Sequence, residues 1–389
     1  MENFNWRELL KKTLSHLLVA VLASVITIGL MSDGTTKLAE LENIINGKFI
    51  GEADMGKAQD AAAQAMVEAL GDRWSYYISA EDYAAHNESM TNSYLGIGIT
   101  VEKRQDGTGF DVLEVAPGGS AKEAGILPGD ILVETDGEDV TQWTLDALRN
   151  AIRGEAGTKV NVGVLRGGEI LRFSVERRNI QVEVAKGTML QGNIGLVRIN
   201  NFNSNCAKET IAAIKALQEQ GAKALIFDVR FNPGGYVSEM VKVLDYLLPK
   251  GVVFREEDYR GRTGERTSDA ACVELPMAVI VNGSSYSAAE FFAAVLREYD
   301  WAVVVGQQTC GKGYYQNTIK LSDGSAVNLS TGKYFTPNGT NLTEVGGLTP
   351  DIPVTVDEKT AALIYAQVLP VADDIQMQAA ILAVQEKIG

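Results

Sequence analysis

The sequence predicts a mixed α/β chain in which a strand-rich unit of about 85 residues interrupts helical and βαβ-like segments. Three observations predict it. After residue 181, short apolar runs alternate with amphipathic stretches, the pattern of strands and helices layered on one another. Between residues 94 and 178 the period changes to short strands separated by glycine turns. On either side of these two regions, apolar residues recur at three- and four-residue spacing.

Taken in order, the chain begins with a stretch of 18 residues, 14–31, that carries no charge. Arg7, Lys11 and Lys12 precede it and Asp33 follows. A secretory apolar core is typically about 7–15 residues long, whereas a spanning helix needs roughly 17–25. Its end reads Ile28-Gly29-Leu30-Met31, without a small-x-small cleavage site. The basic flank is expected to stay in the cytoplasm. The expectation is therefore an uncleaved single-pass anchor, with everything after it outside the cytoplasmic membrane. A cleaved, secreted form and a buried core helix are the alternatives.

Residues 37–90 read as helical, most clearly at 61–70. In the strand-rich unit, Gly96-Ile97-Gly98-Ile99 and residues 111–115 and 160–164 read as strands, and residues 145–152 as an amphipathic helix. Beyond it, strands are expected at 195–199, 224–229, 277–281 and 302–305, alternating with helices at 207–217, 237–247 and 288–299. Residues 358–388 return to helical spacing, broken by Pro370.

Composition narrows the chemistry. The chain holds only two histidines, His16 and His86, and His16 lies in the apolar N-terminal stretch. A Ser-His-Asp hydrolase needs a histidine base, and zinc enzymes usually take several as ligands. A histidine-rich metal site is excluded, and no metal or cofactor is expected. Lys+Arg 35 against Asp+Glu 50 leaves a net charge of −15, a poor match for a polyanion, so no nucleic-acid partner is expected. Three cysteines without a CxxC pair argue against a disulfide framework, although one pair could form.

Two loops invite a chemical reading. Asn232-Pro233-Gly234-Gly235 follows the apolar strand ending in Asp228. Paired glycines at a strand end can leave N–H groups open to a ligand, or can simply make a turn. Asn282-Gly283-Ser284-Ser285-Tyr286-Ser287-Ala288-Ala289-Glu290 joins a buried strand to a helix. Ser287 and Glu290 have capping-box spacing. The alternative is a serine nucleophile at a helix N-terminus, where developing negative charge is favoured.

A serine nucleophile here would need a base other than imidazole. Lysine is the alternative, provided its pKa of about 10.4 falls by about three, a change of about 4 kcal/mol that apolar burial can supply. The candidate is Lys312 in Cys310-Gly311-Lys312-Gly313-Tyr314-Tyr315-Gln316, with Gln316 on the same face if the chain is extended. A solvated lysine in a turn is the other reading. The segment 306–312 has P-loop spacing, but Gly313 stands where Ser or Thr would hold magnesium. Neither a GxSxG elbow nor an HExxH motif occurs, and Ser330-x-x-Lys333 reads as strand.

These residues resemble the C-terminal processing (tail-specific) peptidases, PDZ-containing serine proteases with a Ser/Lys dyad. That family's nucleophile pattern, Ser-Ala-Ser-Ala-Ser-Glu, is matched by Ser285-Tyr286-Ser287-Ala288-Ala289-Glu290. Its Thr-Phe-Gly-Lys-Gly lysine lies 25 positions after the nucleophile, as Lys312 does, and its glutamine lies four further on, as Gln316 does. Asp228-Val229-Arg230-Phe231-Asn232-Pro233-Gly234-Gly235 resembles the oxyanion loop. Tyr334-Phe335-Thr336-Pro337-Asn338-Gly339 and Gly347-Leu348-Thr349-Pro350-Asp351 resemble the closing motifs, and Leu70-Gly71-Asp72 with Tyr76-Tyr77 the segment before the inserted domain. Tyr94-Leu95-Gly96-Ile97-Gly98 is similar to a PDZ carboxylate-binding loop, and two further PDZ landmarks fall at 116–121 and 125–132. Three departures stand out: Tyr286 for a small residue, Ala289 for the third serine and Cys310 for an aromatic. They bear on pocket shape.

The resemblance implies an α/β fold with a crotonase-like ββα-type protease core, an inserted PDZ domain, flanking helical segments and an N-terminal transmembrane helix. The expected division is 1–34 cytoplasmic stub and anchor, 35–91 helical segment, 92–179 PDZ domain, 180–356 protease core and 357–389 C-terminal helical segment. It further implies a serine endopeptidase with Ser287 as nucleophile, Lys312 as base and Gln316 orienting the lysine. Gly234, Gly235 and Ala288 would form the oxyanion hole. The tail carboxylate would meet residues 94–98, with Arg153 as a gating contact. Substrates would be proteins or peptides with accessible C-termini, and a homodimer and an activator protein are the expected partners. A catalytically silent PDZ peptide-binding protein and a membrane-tethered scaffold are the competing functions.

Overall fold

Strands Ala224–Asp228 and Met277–Val281 are buried at every position, the signature of a sheet covered on both faces. A computed structural model describes residues 37–388, and the expected anchor at 14–31 lies outside them. Among the described residues no helix is long and apolar enough to cross a membrane. The described residues fall into two units, 37–71 and 72–388.

The first unit holds helices Lys37–Lys48 and Met55–Glu68, neither of which buries a residue. Asp54 caps the second by accepting from the Lys57 N–H at 3.1 Å.

The second unit is built on a six-stranded sheet in the order Ala185–Leu190, Ile194–Ile199, Ala224–Asp228, Met277–Val281, Ala302–Gly306, Ile352–Pro353. The first pair is antiparallel and the others are parallel. Alternation within the strands sorts their side chains. Leu225, Phe227, Met277, Val279 and Val281 join the core beneath helices Cys206–Glu219, Val237–Leu247 and Ala288–Glu298. Ala224, Ile226, Ala278 and Ile280 face the other way and pack with Met377, Ala380 and Val384 of helix Ile375–Ile388. The predicted helices and central strands fall within one or two residues of these bounds.

Buried charge locks that last helix in place. The Arg230 guanidinium, 1% exposed, lies between Asp228 and Asp374 at 2.8 Å from each. It also donates to Gln376 Oε1 at 3.1 Å. The C-terminal helix is thereby tied to the strand end that launches the 232–235 loop.

A second, antiparallel sheet pairs Tyr76–Ile78, Ala326–Phe335, Gly251–Asp258 and Thr263–Ser268 in that order, with Tyr314–Lys320 also on Ala326–Phe335. Within residues read as mostly helical, Tyr76–Ile78 is thus a strand, placed there by pairing with residues far along the chain.

The strand-rich unit is a six-stranded antiparallel sheet, Ile99–Lys103, Phe110–Val115, Ile131–Thr135, Lys159–Arg166, Glu169–Glu176, with the short Glu138–Asp139 also on Ile131–Thr135, and its own core lies around Phe110, Leu132, Leu148 and Val162. Helix Leu145–Ile152 is present as predicted and is capped by Thr144, which accepts from the Ala147 N–H. Ser93–Gly96 and Arg178–Gln181 pair as an antiparallel ribbon, so the chain leaves and rejoins the larger sheet layer side by side.

Candidate active site and peptide groove

The site assembles where two parallel strands end. Met277–Val281 leads into the turn carrying Ser287, and Ala224–Asp228 leads into the turn carrying Gly234. Ser287 has φ +59° and ψ −127°, far from the extended conformation of an ordinary cap such as Thr144 at φ −77° and ψ 160°. A non-glycine residue at positive φ is strained and persists only when its surroundings hold it.

Glu290 does the holding. Its buried carboxylate accepts from Ser287 N–H at 3.0 Å and Lys312 N–H at 2.6 Å through Oε1. Through Oε2 it accepts from Thr309 Oγ1 at 2.6 Å and Gly311 N–H at 2.9 Å. Burial pushes the carboxyl up, while those four donors act in the opposite direction. One side chain therefore fixes both the serine turn and the lysine loop. Capping-box spacing signals Glu290 in the sequence, but only its link to the Ser287 turn.

Lys312 lies in a cavity rather than in solvent. Its Nζ stands 4.6 Å from the Trp74 ring centroid and 5.9 Å from that of Tyr286, and the two rings stack at 5.7 Å. Burial lowers its pKa to about 8, against the opposing pull of Asp72 and Glu290. The Tyr334 hydroxyl donates to the Lys312 carbonyl and interacts with the Ser287 side chain. Among the described residues Lys312 Nζ donates no hydrogen bond. Gln316 lines the same cleft, yet its carboxamide donates to Tyr314 O at 3.1 Å and Ser330 Oγ at 3.0 Å. A bulge between Tyr315 and Gln316 interrupts the simple alternation expected of an extended segment.

The glycine loop approaches the serine closely. A Cβ on Gly234, at φ +90°, would lie 2.7 Å from Ser287 Cβ and 2.9 Å from Ala288 N. A Cβ on Gly235 would lie 2.3 Å from the Phe202 carbonyl carbon. The expectation for the oxyanion donors needs one correction. The Gly234 N–H already donates to Asn232 Oδ1 at 2.8 Å, because the Asn232 side chain folds back over its own turn. Gly234 supplies close approach instead, leaving Gly235 and Ala288 N–H groups without partners among the described residues. Gly234→Ala is expected to cost about 1–3 kcal/mol of stability from strain and overpacking. Cleavage should fall further than stability does, as denaturation curves set beside rates would reveal.

Two of the departures noted in the sequence meet partners here. Trp74 stacks on Tyr286, and Arg73 donates to Cys310 Sγ at 3.0 Å while lying 4.1 Å from the Trp74 ring centroid. Cys206, Cys272 and Cys310 are all free thiols. The whole cleft has a volume of about 750 Å³. His86 lies on its wall between Tyr76 and Tyr83, at ring-centroid distances of 6.2 and 6.4 Å.

A second groove, of about 300 Å³, lies between residues 94–101 and helix Leu145–Ile152. Tyr94, Leu95, Gly96, Ile97 and Gly98 line it, and Arg153 stands at the C-terminus of the helix. Strand Ile99–Lys103 is the open edge of its sheet, free to accept an added strand.

Fold and site together define a serine-peptidase architecture carrying a PDZ unit. The sequence matches peptidase family S41 over residues 193–354 and the PDZ domain family over residues 87–165. It is 32% identical over 342 residues to the carboxy-terminal processing protease CtpA of Bacillus subtilis (strain 168), covering 83% of this chain and 72% of that protein. It is 30% identical over 335 residues to a probable CtpA-like serine protease of Staphylococcus aureus (strain COL), where 84% of this chain spans 66% of the relative's length. The fold also matches the crystal structure of a putative S41 protease from Bacteroides fragilis NCTC 9343 at a TM-score of 0.52 and 17% identity, covering 84% of this chain and 90% of that one. The chain belongs to peptidase family S41, with the CtpA-type carboxy-terminal processing proteases.

Proposed function

We propose that the chain is a membrane-anchored, extracytoplasmic serine endopeptidase that takes proteins by their C-terminal tails. The observation that carries this reading is the Glu290 clamp, which joins the Ser287 turn to the loop of a lysine whose pKa is lowered to about 8. Ser287 Oγ attacks the scissile carbonyl carbon, and neutral Lys312 takes the hydroxyl proton. The oxyanion is met by the N–H groups of Ala288 and Gly235. Collapse releases the amine, which leaves with the proton from Lys312. Water then attacks the acyl ester with Lys312 again as base, and Ser287 is restored.

Lys312 has to leave the Trp74 ring to do this, and Gln316 is the group proposed to orient it once moved. The tail would add as a strand along Ile99–Lys103, its carboxylate meeting residues 94–98. Arg153, which pairs with Glu88 on helix Ala80–Thr91, is the proposed link by which an occupied groove is felt at the cleft. Residues 14–31 are proposed to hold the chain at the membrane, and the flanking helical segments to make a homodimer. An activator protein is a further proposed partner.

The test is cleavage of an unfolded protein with an apolar C-terminal tail. Wild type should cut it, and Ser287→Ala should not. Equal cleavage by both would remove Ser287 from the chemistry. A wild type that binds the tail but never cuts would favour a silent PDZ binding protein.

A further inference from the structure

We propose that Glu88 is a tethered competitor for the carboxylate of an incoming tail. Its side chain occupies part of the groove's carboxylate site until a tail displaces it. The proposal rests on the tail-binding reading of the groove and adds what sets its affinity.

Glu88 lies near the end of helix Ala80–Thr91, outside the groove's own strands and helix. Its Oε2 pairs with the Arg153 guanidinium at 3.0 Å. Its Oε1 accepts a long hydrogen bond of 3.5 Å from the Leu95 N–H. Leu95 lies in strand Ser93–Gly96, which lines the groove, and Arg153 ends the helix forming its other wall. A single carboxylate thus bridges the two walls. A peptide C-terminus would present the same group, two oxygens with one negative charge, to the same kind of partners, a backbone N–H and a cation.

The competitor is built to stay close and to let go. The helix end that carries it is pinned: Asn203 Nδ2 donates to Ser89 O and Asn92 Nδ2 to Ser204 O, both at 2.9 Å. The short connection from Glu88 to Leu95 keeps its effective concentration high. The ion pair is nevertheless open to water, with Arg153 37% and Glu88 27% exposed, so it is weak enough for a tail to break. A groove filled part of the time by its own carboxylate binds tails more weakly, in proportion to the fraction of time it is free.

Titration calorimetry tests this with the full chain carrying Ser287→Ala, so that the peptide is not cut. The probes are a peptide with an apolar C-terminal residue and a free carboxylate, and the same peptide as a C-terminal amide. Glu88→Gln should tighten binding of the free acid by roughly three- to tenfold and leave the amide unchanged. Glu88→Asp keeps the charge on a shorter arm and should tighten it in the same direction, deciding the matter if the Gln variant does not fold. Affinity for the acid that is unchanged or weakened in both variants, while acid is still preferred over amide, would overturn the competitor and leave the tail reading standing. No preference for acid over amide in any of the proteins would overturn both.

Discussion

Lys312→Ala is expected to reduce cleavage by at least a thousandfold, and the wild-type rate is expected to climb through a midpoint near pH 8. The loss follows from the proposed role of the amine, which would accept a proton twice per turnover. The pH dependence follows from its charge. In the proposed mechanism the active form is the neutral amine, and burial lowers its pKa to about 8. Only about one tenth of the lysine is neutral at pH 7, and nearly all of it above pH 9, so the rate rises and then levels. Asp72 offers a check on the cause. Its carboxylate opposes that lowering, so Asp72→Asn should move the midpoint to lower pH. Initial rates of the folded protein between pH 6 and 10 decide the point. A rate that falls across this range, or a midpoint unmoved in Asp72→Asn, would contradict the assignment.

Glu290→Ala should be the most damaging single change to stability, on the order of 5 kcal/mol. It strands four donors, those of Ser287, Thr309, Gly311 and Lys312, in a buried space and leaves a void as well. Glu290→Gln keeps the volume and one acceptor oxygen, but turns an amide group toward donors. It should cost roughly half as much. Activity separates this role from simple support. In the Gln variant, assayed where denaturation curves prove it folded, kcat should drop at least tenfold with little change in KM, because the serine and lysine lose their common reference. A folded Gln variant with unchanged kcat would show that the two loops keep their positions without the shared carboxylate.

The parallel layer was legible because its strands are short, continuous apolar runs and its helices carry a clear apolar face. Residues 145–152, 237–247 and 277–281 needed no revision. The antiparallel layer left little trace. Thr263–Ser268 reads Thr-Gly-Glu-Arg-Thr-Ser, with no apolar residue to reveal a strand, and Tyr76–Ile78 is three residues long. The first exists because it closes a hairpin with Gly251–Asp258, the second because a strand about 250 residues away pairs with it. The site divides similarly. Ser287, Lys312 and Gln316 were recognisable by spacing, whereas Trp74 and Tyr334 reach Lys312 only through the antiparallel layer. The Asn232 side chain bonding the Gly234 N–H is a local rotamer choice that no motif encodes. Glu88 meeting Arg153 likewise depends on how the helix before the PDZ unit docks.

The pairing of Tyr76–Ile78 with Ala326–Phe335 also fixes when the catalytic centre can exist. Ser330 N–H donates to Ser75 Oγ at 2.9 Å across a separation of 255 residues, one position from the Trp74 ring that holds the lysine. Contacts this remote close late, because the loop entropy is lost before any bond compensates for it. A nascent chain can complete Ile99–Glu176 and much of the parallel layer while Trp74 still waits for its strand. The peptide groove would mature during synthesis and the cutting centre only near its end. Under the proposed function, the protein would therefore emerge able to hold a tail before it is able to cut one.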